Sequence, residues 1–141
     1  MTQQTQVQSQ LSTSSIGRHS ELLAMAALIA DGWSVSEPTV PEAHDLEAKK
    51  YVGNEKITLD IQVKTIKKRV RDGVDYYVIR GLKNNGSVYG QSDCDAFIGI
   101  VDGEVYMTPN RCLTEYWVRV DEADGKWRKL PLTISEKGAI N

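Results

Sequence analysis

The chain has 141 residues, of which 40% are hydrophobic and 26% are charged, and its formal net charge is −2. This length is enough for one hydrophobic core and argues against two domains with separate cores. The slight acidic excess excludes a protein that binds nucleic acid through overall positive charge, although a local basic surface remains compatible with it.

No apolar run approaches the ~20 residues that span a bilayer, and the chain does not start with a basic segment followed by an apolar one. We therefore predict neither a membrane span nor a secretory signal. Cys94 and Cys112 are too few for a disulfide framework and lack the spacing of zinc ligands. Free thiols are typical of a reducing compartment, so we expect a cytoplasmic protein.

The first third of the chain predicts a tail, a helix and a short strand. Residues 1–15 are rich in Gln, Ser and Thr, which is typical of a disordered tail, and a single domain is expected over 16–141. Apolar residues at helical spacing predict a helix over 14–30, capped by one of the serines at its start. A short strand is expected at 33–35, and 42–54 is predicted to be a turn-rich connection with a turn at 53–54.

The segment 57–66 is the clearest strand, because apolar and polar residues alternate along it. Its apolar face comprises Ile57, Leu59, Ile61 and Val63, and its polar face comprises Thr58, Asp60, Gln62 and Lys64. Side chains on one face recur at roughly 6–7 Å intervals. An acid, an amide and an amine placed in this way can bind a divalent cation beside an ammonium group; a plain solvated face is the alternative.

Further strands are predicted after this one. They are 76–79, the apolar segment 95–101 and its hairpin partner 104–107, with the hairpin turn at 102–103. A last hairpin is expected between 116–120 and 127–132, around the Asp-Gly pair at 124–125. The order of elements predicts a mixed α/β or α+β domain, with four or five strands in one central sheet flanked by helices.

Other residues of suitable chemistry surround the polar strand face. Asp45 lies just upstream, where the backbone of a turn-rich stretch can direct it toward the strand, and Glu21 lies in the predicted helix. The strand is followed by a basic cluster that suits contact with nucleic-acid phosphates: Lys67, Lys68, Arg69 and Arg71. A solvated charged edge that prevents strand pairing is the alternative for this cluster.

The runs GRHSELLAMAALIADGWSVSEP, HDL and ITLDIQVKT, in this order, resemble the PD-(D/E)XK nuclease superfamily. The resemblance is strongest to the QxK group that includes archaeal Holliday junction resolvases and certain phage- or intron-encoded endonucleases. The later run YGQSDCDAFIGIVDGEVYMTP is also similar to a strand pair of that group, so the resemblance covers about residues 16–110. It implies a restriction-endonuclease-like fold and a metal-dependent endonuclease that acts on DNA as a dimer or tetramer.

The resemblance also implies roles for individual residues. Glu21 matches the helix glutamate, Asp45 the first acidic ligand, and Gln62 and Lys64 the (E/Q)-x-K pair. Mg²⁺ or Mn²⁺ would then be held by Glu21, Asp45, Gln62 and the carbonyl of Val63, with Lys64 acting on the water or the phosphate. The usual residue at position 62 is acidic, and Gln62 brings an oxygen ligand without charge.

Two other interpretations remain open at this point. The neutral Gln62 and the acidic balance favour a non-catalytic module of the same fold that binds DNA or a protein, as a phage-encoded protein can. Alternatively, the alternation is coincidental and the chain is a general α+β domain. The second interpretation requires Asp45 and Gln62 to lie far apart, since the ligands of one ion lie within ~4–5 Å of each other.

Overall fold

The computed structural model describes residues 11–135, so the part of the predicted tail over 1–10 lies outside the described residues. A long helix, α1 (Thr13–Ala30), opens the described chain. Ser12 caps this helix, because its hydroxyl accepts a hydrogen bond from the amide of Ser15 at 3.0 Å. The expected cap, two or three residues later, is wrong. No helix within the described range is long and apolar enough to cross a membrane.

The described chain continues with nine strands and a short second helix. They are β1 (Ser34–Ser36), β2 (Leu46–Val52), β3 (Glu55–Thr65), β4 (Lys67–Arg71), β5 (Val74–Arg80), β6 (Ala96–Val101), β7 (Glu104–Pro109), β8 (Glu115–Arg119), α2 (Ala123–Lys126) and β9 (Arg128–Lys129). The larger sheet has the order β1-β2-β3-β6-β7-β9, and β4-β5-β8 form a second sheet. Strands β3 and β6 run parallel and the other paired strands antiparallel, so the larger sheet is mixed, as predicted, but has six strands.

Strand β2 corrects the prediction that 42–54 is a turn-rich connection. It pairs antiparallel with β3 along its whole length, from Leu46 opposite Ile61 onward. Leu46 and Ala48 are buried, while Glu47 between them and Lys49 after them carry charge. This strand has few β-branched residues, so its sequence alone is typical of a loop. Its strand conformation is stabilised by pairing with β3. The predicted turn at 53–54 is present.

The predicted C-terminal hairpin is also wrong. Strand β8 pairs with β5 in the second sheet, and β9 pairs with β7 in the larger sheet. The Asp-Gly pair that was expected to form the turn, at 124–125, lies within α2. By contrast, the buried strand predicted at 95–101 and the hairpin turn at 102–103 are confirmed.

The larger sheet is covered on both sides at its centre. Leu28 of α1 forms one buried cluster with Ile98 and other residues on one face of the sheet. On the other face, Phe97 packs against Tyr116 of the second sheet, with ring centroids 5.3 Å apart. All six residues of β6 are therefore buried, which explains why its sequence is continuously apolar.

Gly99 of β6 lies where the second sheet approaches most closely. A β-carbon at this position would lie 2.6 Å from Cγ1 of Ile66 and 2.9 Å from Cδ1 of Ile79. Gly99→Ala is expected to lower the free energy of unfolding by about 1–3 kcal/mol through overpacking, measured by urea denaturation. Gly125→Ala is the matched control, because no atom lies within 4 Å of its added carbon. Equal unfolding midpoints for the two variants would contradict this account.

Candidate active site

Asp45 is fastened to the backbone of β3. Its amide donates to the carbonyl of Ile61 at 2.9 Å, and its carboxylate oxygen Oδ2 accepts a hydrogen bond from the amide of Val63 at 3.0 Å. The first bond extends the pairing of β2 with β3 by one residue, and the second directs the side chain toward the strand. Asp45 is thereby held beside the residues that flank Val63 in the chain, Gln62 and Lys64.

Asp45, Gln62 and Lys64 line one open depression of about 450 Å³. The loop after β5 forms much of the remaining wall, through Lys83, Asn84, Asn85 and Tyr89. An acid, an amide and an amine therefore face a common space. This placement contradicts the interpretation in which Asp45 and Gln62 lie far apart.

The ammonium of Lys64 is held by two contacts at the rim of this depression. Its Nζ donates to the carbonyl of Leu82 at 3.1 Å and lies 4.9 Å from the centroid of the Tyr89 ring. Burial lowers the pKa of Lys64, the nearby Arg80 lowers it further, and Asp45 opposes both effects. Lys64 is thus a positioned cation whose proton is held less tightly than that of an exposed lysine.

The carboxyl of Asp45 shows the opposite change. Burial raises its pKa, and the negative charge of Glu21 adds to this, while the Val63 amide and Lys64 act against it. The Val63 amide and Lys64 therefore compensate the negative charge of the Asp45 carboxylate only in part. A bound cation would supply the missing compensation.

Glu21 lies close to Asp45 but in a separate depression. Glu21, His44 and Asp45 line a second open space of about 310 Å³, which adjoins the first one at Asp45. Arg18 holds Glu21 at 3.1 Å and Glu37 at 2.7 Å. Of the four residues implied by the resemblance, three thus share one depression, and Glu21 approaches Asp45 from the side of α1.

The two remaining candidate ligands are neighbours on β3. The amide nitrogen Nε2 of Gln62 lies 3.5 Å from the carbonyl oxygen of Val63 and donates to it weakly. The side chain of Val63 is buried in the core, so its contribution to any site comes from the backbone. A flip of the Gln62 amide, which exchanges the positions of its oxygen and nitrogen, would present its oxygen to a cation.

A second group of ligand-type side chains, which sequence reasoning missed, lies on the same strands. Nε2 of His44 lies 3.0 Å from Glu47 and 3.6 Å from Asp60, and His44 is only 10% exposed. The ligand atoms of all three lie within 4.8 Å of one another. Interpreting 42–54 as loop hid this group, because only the β2–β3 register places Glu47 opposite Asp60. Asp60, which the alternation placed on the same polar face as Gln62, therefore contacts His44.

The predicted basic cluster forms strand β4 at the border of the second sheet, and all of its residues are exposed. Lys67 and Arg69 line a further depression together with Arg80, which the sequence had not singled out. Lys68 instead forms an ion pair with Asp102 at 2.6 Å. The side chains of the cluster therefore point two ways: Lys67 and Arg69 toward this depression, and Lys68 toward Asp102.

Comparison with known proteins shows the fold. No family model and no curated protein matches the chain. Solved structures do match, and one of them is a bacterial homing endonuclease, I-Ssp6803I. That structure shares 24% sequence identity with a TM-score of 0.55, over 76% of this chain and 75% of its own. The chain has a nuclease-like fold, which confirms the predicted fold class; membership of the PD-(D/E)XK superfamily stays a prediction.

Proposed function

We propose that the protein is a metal-dependent DNA endonuclease that hydrolyses phosphodiester bonds at the depression lined by Asp45, Gln62 and Lys64. The observation that carries this proposal is the bond from the Val63 amide to Asp45 at 3.0 Å, which holds an acid, an amide and an ammonium around one open space. The likeness to a homing endonuclease fold supports DNA as the substrate class.

The donor set fits a hard divalent cation such as Mg²⁺ or Mn²⁺. Asp45 offers its free oxygen Oδ1, Gln62 its amide oxygen and Val63 its carbonyl, and Glu21 reaches Asp45 from the adjoining depression. Oxygen ligands with few protein contacts are what Mg²⁺ prefers. When bound there, the ion polarises a phosphoryl oxygen and lowers the pKa of its water.

Lys64 supplies the second positive charge of the proposed site. Its contact with the Leu82 carbonyl fixes the ammonium at the rim, so little reorganisation is needed when charge develops on the phosphate. Burial lowers its pKa, which also suits orientation or deprotonation of the attacking water. Both roles place Lys64 in contact with the reacting groups.

A cleavage assay on branched, nicked and linear duplex DNA tests this function. We expect cleavage of at least one substrate with Mg²⁺ or Mn²⁺ and none with EDTA, because the proposed cation would polarise the phosphate and activate the attacking water. The absence of cleavage of all three substrates with both metals would overturn the proposal.

A non-catalytic module is the second candidate function, favoured by the neutral Gln62 within the donor set. It would bind DNA or a protein tightly without cutting DNA under any of these conditions.

For the endonuclease we further infer a homodimer or homotetramer acting in the cytoplasm, since one small active site must reach both strands. Light scattering on the purified protein measures its oligomeric state.

A further inference from the structure

The pairing register of the second sheet separates its residues into two faces. The inner face carries Ile79, Tyr116 and Val118, which are buried against the larger sheet. The residues that alternate with the inner-face residues along each strand form the outer face. It carries five cations: Lys67, Arg69, Arg71, Arg80 and Arg119. It also carries Tyr76 and Trp117, whose ring centroids lie 5.4 Å apart, and Arg71 lies 4.2 Å from the centroid of the Trp117 ring.

Positive charge on the outer face is poorly neutralised. Lys67, Arg69 and Arg80 form no ion pair with any other described residue, and Arg119 pairs with Asp121 at 3.2 Å. The acid of the outer face is Glu115, which accepts a hydrogen bond from the indole of Trp117 at 3.0 Å. An unneutralised basic surface on a chain of net charge −2 indicates an anionic partner.

The outer face is continuous with the proposed active site. Three cations and one acid, Lys67, Arg69, Arg80 and Glu115, line a depression of about 230 Å³ together with Leu82. The carbonyl of Leu82 holds the ammonium of Lys64, and the next residue, Lys83, lines the active-site depression. A polyanion that enters the active-site depression would therefore lie next to these three cations.

The dimensions of the surface match a nucleic-acid duplex. Strand β5 has seven residues, which span roughly 20 Å at about 3.3 Å per residue. The axes of the two outer strands, β4 and β8, lie about 10 Å apart, so the outer face is large enough to contact several backbone phosphates of a duplex. The guanidinium and ammonium groups on β4 and β5 can then reach backbone phosphates.

We propose that duplex DNA docks on the outer face of the second sheet, with Lys67, Arg69 and Arg80 contacting backbone phosphates beside the bond to be cut. This inference rests on the proposed function and adds to it the surface that positions the DNA. Lys68, although part of the basic cluster in the sequence, takes no part in the contact, because it pairs with Asp102 on the inner side.

Fluorescence anisotropy with a labelled duplex in EDTA tests the inference without requiring cleavage. Lys67→Ala, Arg69→Ala and Arg80→Ala are each expected to weaken binding, and each should reduce the slope of log K against log[salt] by about 0.9. Lys68→Ala is the matched control, since it removes the same charge from the same strand on the opposite face. Its affinity and salt slope should equal those of the unmodified protein, and thermal melting should verify that all four variants fold.

The results separate this inference from the proposed function. If the unmodified protein cleaves DNA but the three variants keep its affinity and slope, the docking surface is wrong and the endonuclease stands. An equal loss in Lys68→Ala would also overturn the docking surface, because charge alone would then explain binding. If the three variants lose affinity as expected but no metal supports cleavage, the docking surface stands and the endonuclease function falls.

Discussion

Lys64→Ala is expected to reduce DNA cleavage by about 10³-fold while duplex binding changes little. The loss follows from removing a positioned cation at the reacting phosphate, for which reductions of ~10²–10³ in kcat are typical. Binding is retained because Lys67, Arg69 and Arg80, the cations proposed to contact the backbone phosphates, are unchanged in this variant. Single-turnover cleavage and anisotropy on the same duplex measure the two quantities.

Lys56→Ala provides the matched control for Lys64. Lys56 lies on the same strand, β3, at its exposed end, so the variant removes an equal charge from outside the site. It should cleave DNA like the unmodified protein. Full cleavage by Lys64→Ala, with normal thermal melting, would show that the depression does not carry the chemistry.

Asp45→Asn is expected to abolish both metal-dependent cleavage and the stabilisation of the fold by Mg²⁺. The amide oxygen of Asn can still accept the hydrogen bond from Val63, so the variant removes charge and keeps the local structure. A cation present at 100 times its Kd stabilises a protein by about 2.7 kcal/mol. Thermal unfolding with and without Mg²⁺ should therefore show a raised Tm in the unmodified protein and none in the variant.

Without metal, the same substitution is expected to leave stability unchanged or to increase it at neutral pH. The pKa of Asp45 is raised in the folded protein, so its ionisation costs the folded state stability as the pH rises through that pKa. Asn removes this cost. Conversely, the affinity for Mg²⁺ should fall as the pH drops through the raised pKa of Asp45, because the protonated acid is a poor ligand.

Asp75→Asn controls for the loss of an acidic residue, since Asp75 is exposed on β5. Its cleavage, its Mg²⁺-dependent Tm and its stability should match those of the unmodified protein. An Asp45→Asn variant that Mg²⁺ still stabilises to the same extent would place the cation elsewhere; the group formed by His44, Glu47 and Asp60 would then be the first location to examine.

The pattern of apolar and polar residues along the chain was enough to predict the strands that are fully buried or that alternate between two faces. The alternation from Ile57 to Lys64 predicted β3 and assigned its two faces, because a pleated strand directs successive residues to opposite sides. The apolar run predicted β6 because a strand buried on both faces is continuously apolar, and the Asp-Gly pair predicted the turn after it. Gln62 and Lys64 therefore emerged as a pair from the sequence alone.

Tertiary structure decided which residues lie beside Gln62 and Lys64. Strand β2 has weak intrinsic preference and exists because β3 offers it a partner, and that pairing is what fastens Asp45 to the Val63 amide. Adjacent lysines in β4 look equivalent in the sequence, yet strand geometry directs Lys67 outward and brings Lys68 to Asp102. Sequence spacing supplied the donor types, whereas non-local hydrogen bonds between strands set their distances and the surface they share.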